Sequence, residues 1–242
     1  MGAVLAAIAL TPSAPVLVPE LAGAAAAEVA KFRTAAIGAA AALPDQWIAI
    51  GVGSEDRVIT RVRGTFAGYG ADVPVSLCPE PIGPVAELPL CALFAGWLRG
   101  QANPGASVSV RVHPAELDAG AAVARGRLLR DLIDAGDEPV GVLVVADGAN
   151  TLTQGAPGGF DPGAEAVQTA LDDALAAGDV AVLRDLPDAV VGRVAYQVLA
   201  GLAEPGPRSA AELIRGAPYG VGYFVGTWVP EGRSAATREM AR

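Results

Sequence analysis

A chain of 242 residues that is 52% hydrophobic and 18% charged carries enough apolar side chains for one sizeable core, which excludes global disorder and makes a single domain the simplest reading. Its formal net charge is −9 and its basic residues are scattered, with Lys31 the sole lysine. Phosphate backbones require a clustered positive field, so a nucleic-acid partner is not expected.

Residues 3–10 are apolar and stop at Thr11-Pro12, the pattern of a buried parallel strand. No lysine or arginine precedes Lys31, so the stretch lacks the positive region of a secretory signal, and no segment reaches the length of a membrane span. A cytoplasmic protein without a membrane partner is expected. Residues 20–43 are alanine-rich, with Leu21, Val29, Phe32 and Ile37 among good helix formers and Pro44 at the end, which predicts one helix. Residues 47–52 read as a second buried strand, ending in the loop Gly53-Ser54-Glu55-Asp56. A short strand over 73–77, a short helix over 89–98 and a β-branched strand over 107–112 follow.

After His113-Pro114, residues Leu117, Ala121, Ala124, Leu128 and Leu132 recur on one face, which predicts an amphipathic helix with that stripe, stopped by Gly136. Residues 140–145 are a continuous aliphatic strand that delivers a polar, glycine-containing loop over 147–159. Asp161-Pro162 opens a helix carrying Val167, Ala170, Leu171, Ala174 and Leu175; Gly178 ends it and Asp179 caps a short successor. A further helix carries Val191, Val194, Ala195, Val198, Leu199 and Leu202, and the last strand spans 222–228. The polar residues from 230 predict a mobile tail over 230–242 behind one domain over 1–229. Alternation of strands and helices predicts an α/β class, with a central, mostly parallel sheet and helices on both faces.

Ligands of such sheets bind beyond the carboxyl ends of the strands, so the chemistry is sought in those loops. Gly51-Val52-Gly53-Ser54-Glu55-Asp56 begins like a dinucleotide fingerprint, but Asp56 replaces the third glycine and would repel a pyrophosphate. Cys78 and Cys91 are too few for a disulfide framework or a zinc site and read as small buried hydrophobes. His113 is the sole histidine; it reads first as the residue that closes a strand before Pro114, and a serine triad would have to recruit it without any G-x-S-x-G elbow. Asp147-Gly148 reads as a turn or as pocket wall, and Glu55, Asp56 and Asp147 are the carboxylates from which a hard-cation site could be built.

The segment Pro12-Ser13-Ala14-Pro15-Val16-Leu17-Val18-Pro19-Glu20 resembles the P-H-P-P-L-L-V-P-E opening of the class III extradiol dioxygenase B-subunit family and its Memo relatives. The resemblance returns in Val144-Val145-Ala146-Asp147-Gly148, in the glycine-rich stretch 155–162, and in Ala217-Pro218-Tyr219-Gly220-Val221-Gly222-Tyr223-Phe224-Val225. It implies that family's fold and an Fe(II) held by two histidines and a glutamate with open positions for catechol and dioxygen. Ser13 stands at the first histidine position, Ser54-Glu55-Asp56 near the second, Gly192-Arg193 where the glutamate is expected, and Asn150-Thr151-Leu152 where the family has its general acid/base histidine.

The resemblance therefore implies the framework without the iron chemistry: no cofactor, no catalytic residue, and a cleft that binds a small aromatic or other small molecule, or a partner. The candidate pocket residues are Ser13, Ser54, Glu55, Asp56, His113, Asp147, Asn150 and Tyr219. A rewired metalloenzyme built on Glu55, Asp56, Asp147 and His113 is the alternative from the enzyme class. An assembly role, with Trp97, Tyr223 or Trp228 in a homo-oligomer interface, is the alternative from the structural class.

Overall fold

The computed structural model describes residues 5–232. In chain order its strands are β1 (Leu5–Thr11), β2 (Gln46–Gly53), β3 (Arg57–Ile59), the separate hairpin β4 (Arg63–Thr65) and β5 (Pro74–Ser76), β6 (Ser107–Pro114), β7 (Val140–Val145), β8 (Pro207–Gly216) and β9 (Tyr223–Pro230). Seven of them form one sheet in the order β3-β6-β2-β7-β1-β9-β8. Its centre is parallel: Ile48 of β2 pairs with Ser109 on one side and Val142 on the other, and Val142 in turn pairs with Ile8 of β1. The flanking strands β3, β9 and β8 are each added antiparallel to their inner neighbour.

The helices are α1 (Pro19–Ala22), α2 (Ala30–Ala41), α3 (Leu90–Ala102), α4 (Ala119–Asp134), α5 (Ala164–Ala177), α6 (Val180–Leu183) and α7 (Arg193–Ala203). Because successive strand residues face opposite ways, the sheet builds two cores. Ala9, Ala49, Val110, Leu143 and Val225 meet α2 and α3 on one face. Ile8, Ile50, Val142, Val144 and Trp228 meet α4, α5, α6 and α7 on the other. This is the α/β architecture that the alternating elements predict, with helices on both faces.

The chain leaves β1 and β2 toward the first face and β6 and β7 toward the second. Neighbours β1 and β7 therefore send their helices to opposite faces, which makes their carboxyl ends a topological switch point, the crevice where ligands of such sheets bind.

Three local expectations change. The single helix over 20–43 is divided into α1, a 3-10 turn Gly23–Ala26 and α2, because Gly23 takes φ +52 and breaks the hydrogen-bond ladder. Strand β8 adds an element that the hydrophobic pattern does not announce: most of its residues are exposed, and it pairs with β9 at the sheet edge. On α4 the buried residues are Ala122, Val123, Gly126, Leu129, Arg130 and Ile133, whereas Leu128 and Leu132 of the predicted stripe are 68% and 56% exposed.

That inversion has a steric cause. Helix α4 packs chiefly on α7, and a Cβ on Gly126 would lie 2.0 Å from the Val198 carbonyl oxygen, one on Gly201 2.0 Å from that of Val123. The two helices meet through their smallest residues, so the face with the glycine goes inward and the leucine stripe is turned out. At the other end of the chain, Pro230 is the last residue of β9 and the Glu231 carbonyl accepts from Arg130 Nη2 at 2.9 Å; the rest of the expected tail, 233–242, lies outside the described residues. No helix among the described residues is long and apolar enough to cross a membrane.

Candidate functional site

The loops after β1 and β7 meet in the crevice. The Ser13 amide donates to Asp147 Oδ1 at 2.8 Å, so the carboxylate is tied to the main chain of the neighbouring loop. Asp147 is half-buried, and burial pushes its carboxyl up to about 6 against the opposing effect of the Ser13 N–H. Two tyrosines stand near it. Tyr196 is fully buried and donates its hydroxyl to the Ala146 carbonyl at 2.8 Å, and both Tyr196 and Tyr223 have their phenol pKa raised by burial and then by the Asp147 charge.

Glycines let the surrounding loops close on this carboxylate. The Gly192 amide donates to the Asp147 carbonyl at 2.8 Å, and a Cβ at 192 would stand 2.5 Å from the Ala146 Cβ and 2.7 Å from the Asp147 oxygen. A side chain is excluded at Gly192, within the stretch 190–196 where the resemblance calls for a glutamate. The Gln168 amide fills the space above Gly148 and Gly222, accepts from the Ala149 amide at 2.8 Å and donates to Asp172 Oδ1 at 2.8 Å. Asp172 is itself buried, and its carboxyl is likewise pushed up to about 6.

A second cluster forms beside β6. His113 is 7% exposed, and its Nδ1 lies 3.0 Å from Arg125 Nη1 and 3.6 Å from Asp56 Oδ1; Arg125 reaches Asp56 Oδ2 at 2.6 Å. A guanidinium only donates, so Nδ1 accepts and the ring proton sits on Nε2. Burial and then the Arg125 charge lower the His113 pKa, so the ring is neutral at pH 7. His113, Asp56 and Arg125 line a cavity of about 410 Å³ with Arg57, Arg111, Val58, Leu128, Leu129 and Leu132.

The predicted residues thus fall into two groups and some singletons. Ser13 and Asp147 are brought together, and so are Asp56 and His113. Ser54 and Glu55 are exposed, Glu55 lying 3.5 Å from Arg57. The Asn150 carbonyl accepts from the Gly158 amide within its own loop, and Tyr219 donates to Glu28 at 2.7 Å on the surface. Sequence reasoning missed Gln168, Tyr196, Arg111 and Arg125; a buried glutamine in a helix, an arginine on a strand and another on the helix beside it leave no spacing signal. Another cavity, of about 960 Å³, opens at the opposite end of the sheet, beside the strand starts Gln46, Ser107 and Val140.

A facial iron site does not fit these residues. The one imidazole is engaged by a guanidinium, whose charge repels a metal cation, Ser13 offers a hydroxyl that stays protonated at neutral pH, and the stretch 190–196, where the glutamate is expected, holds no carboxylate. Among the described residues no three His, Cys, Asp or Glu side chains converge as a metal ion would require, so Glu55, Asp56 and Asp147 remain apart.

No family model and no curated protein matches the chain. Solved structures do: the uncharacterized protein JW3007 from Escherichia coli K12 superposes with a TM-score of 0.57 over 93% of this chain and 99% of that one, at 10% sequence identity. At that identity the likeness is one of fold, a mixed α/β sheet flanked by helices.

Proposed function

We propose that this protein binds a small molecule at the carboxyl ends of its parallel strands, on a framework similar to the class III extradiol dioxygenases, without their iron-dependent ring cleavage. One observation carries the reading: where the resemblance places the first metal histidine, Ser13 instead gives its amide to Asp147, a carboxyl at a switch-point crevice. A carboxyl with a pKa of about 6 is partly protonated near neutrality and serves a ligand as donor or acceptor, flanked by phenols that stay protonated.

The rival readings find less support. The carboxylates of a rewired metal site do not converge, and Trp97, Tyr223 and Trp228 are buried in the two cores rather than presented to a partner. The test is elemental analysis of protein purified without chelators, together with oxygen uptake on added catechols. Substoichiometric iron and no uptake are expected, with catechols or related small aromatics raising the melting temperature by binding the folded state alone. Stoichiometric iron with turnover would overturn the reading.

A further inference from the structure

We propose that the cavity between β6, β3 and α4 is a binding site for a small organic carboxylate with an apolar body. This site is separate from the Ser13–Asp147 crevice, and the inference stands without the dioxygenase resemblance.

The polar end of the cavity carries an imbalance. Arg57, Arg111 and Arg125 line it against one carboxylate, Asp56, in a chain whose formal net charge is −9. Asp56 is committed to Arg125, and Arg57 has only a 3.5 Å contact with the exposed Glu55. Two buried donors there have no partner. His113 Nε2 carries the ring proton, since Nδ1 accepts from Arg125, and Arg111 Nε is an N–H by its chemistry; neither makes a hydrogen bond. Arg111 and His113 alternate on one face of β6, so both side chains stand on the same side of the sheet. Buried donors left unpaired are costly, and a small side-chain rotation that brings either N–H to the cavity wall lets an incoming oxygen acceptor remove that cost.

The other end is apolar and exposed. Leu128 and Leu132 lie one turn apart on α4, Val58 faces them from the edge strand, and these are 68%, 56% and 59% exposed. They are exposed because α4 leans on α7 through Gly126 and Gly201 and leaves the second face of β6 and β3 uncovered. A volume of about 410 Å³ falls within the range of small-molecule sites and is far too small for a folded partner's surface. Guanidinium forks suit a carboxylate, and the leucines suit a hydrocarbon or ring behind it. Inorganic anions would use only half the cavity.

The sole histidine makes the test local, because its ring resonances report on this cavity alone. Titration of the full chain with benzoate and hexanoate, followed by NMR of His113 and by calorimetry, should show saturable binding that moves the His113 signals. Benzamide and hexanol, which lack the charge, and acetate and sulfate, which lack the apolar body, should bind about tenfold or more weaker. Arg111→Gln should weaken benzoate by about tenfold or more; should that variant lose its fold, the exposed Arg57→Gln supplies the same comparison at about threefold. Leu128→Asn, an exposed change, should weaken hexanoate and leave acetate unaltered.

Three binding results overturn the proposal, and one sedimentation result besides: no saturation by either probe up to ~10 mM, equal affinity for benzamide, or binding that leaves the His113 signals unmoved. The last would direct the ligand to the Ser13–Asp147 crevice and leave the earlier reading standing. Sedimentation as a dimer that Leu128→Asp dissociates would likewise overturn it, since a second copy would then cover the leucines.

Discussion

The crevice at Ser13–Asp147 and the cavity at His113–Arg111 are opposites in hydrogen-bond accounting. In the crevice an acceptor, Asp147, has recruited a donor from the neighbouring loop, and Gln168 and Tyr196 satisfy the chain on either side of it. Beside the cavity two buried donors have no acceptor, and its three arginines, which only donate, supply none. The crevice is the position that topology designates for ligands, and there Asp147 Oδ1 already holds one partner, the Ser13 amide. The cavity lies at an edge that topology does not designate, and there the demand for a ligand is greater. Fold therefore indicates where a scaffold can bind, while unsatisfied groups indicate what it would take.

The largest way to break the comparison is to move α4. Gly126→Val would drive a side chain into the Val198 carbonyl, pushing α4 from α7 and Arg125 from His113. The expected loss is about 3 kcal/mol or more in denaturant unfolding, with the cavity lost and the crevice loops retained. An unchanged midpoint would mean that α4 does not depend on this contact.

A smaller change sharpens the crevice side. The Asp147 and Asp172 carboxyls titrate near 6 in the folded chain against 3.8 ordinarily, so the folded state holds their protons more tightly than the unfolded one. Their contribution to stability is complete below about pH 4 and is lost as pH rises through about 6. Asp147→Asn keeps an oxygen for the Ser13 amide and removes the charge; it should raise stability at pH 7 by about 1–2 kcal/mol, discounted for partial exposure, and flatten part of the decline between pH 4 and 7. The remaining slope belongs to Asp172. A decline that persists in full in the Asp147→Asn variant would contradict the buried, self-satisfied crevice.

Sequence pattern carried the sheet well. The aliphatic run of β7 spans 140–145 in sequence and structure alike, and the strand-end loops holding Ser13 and Asp147 were legible because a strand buried on both faces is a continuous apolar run with sharp polar ends. The cavity was not legible, for two physical reasons. The leucine stripe of α4 looked like a core face, but helix contact is set by how closely backbones approach, and Gly126 with Gly201 outcompeted Leu128 with Leu132. The arginines at 111 and 125 carried no spacing signal, since one lies on a strand and the other on a helix. Edge strand β8 escaped for a related reason: it has no apolar face to announce it.

The cavity side is sharpened by the lone histidine itself. His113 is held below its ordinary pKa first by burial and next by Arg125, while Asp56 pulls the other way. Its folded pKa lies below the unfolded one, so its neutral form costs nothing above the ordinary value and stability is lost as pH falls through the window beneath it. Arg125→Met removes the cation, leaves Asp56 facing the ring and frees Nδ1, so the pKa should rise toward or beyond the ordinary histidine value in an NMR titration. An unmoved titration would show that burial alone sets it.

The smallest expected effect lies at Tyr219, and its smallness separates surface from site. Its hydroxyl donates to Glu28 at 2.7 Å between exposed side chains and makes no hydrogen bond with Asp147. Exposed pairs of this kind contribute little because water competes for both groups. Tyr219→Phe should shift stability by less than about 0.5 kcal/mol and leave benzoate binding at His113 unchanged. A large loss in either measurement would place Tyr219 in a network that reaches the crevice, and the division of the molecule into a partnered acceptor at the crevice and an unpartnered pair of donors beside the cavity would have to be redrawn.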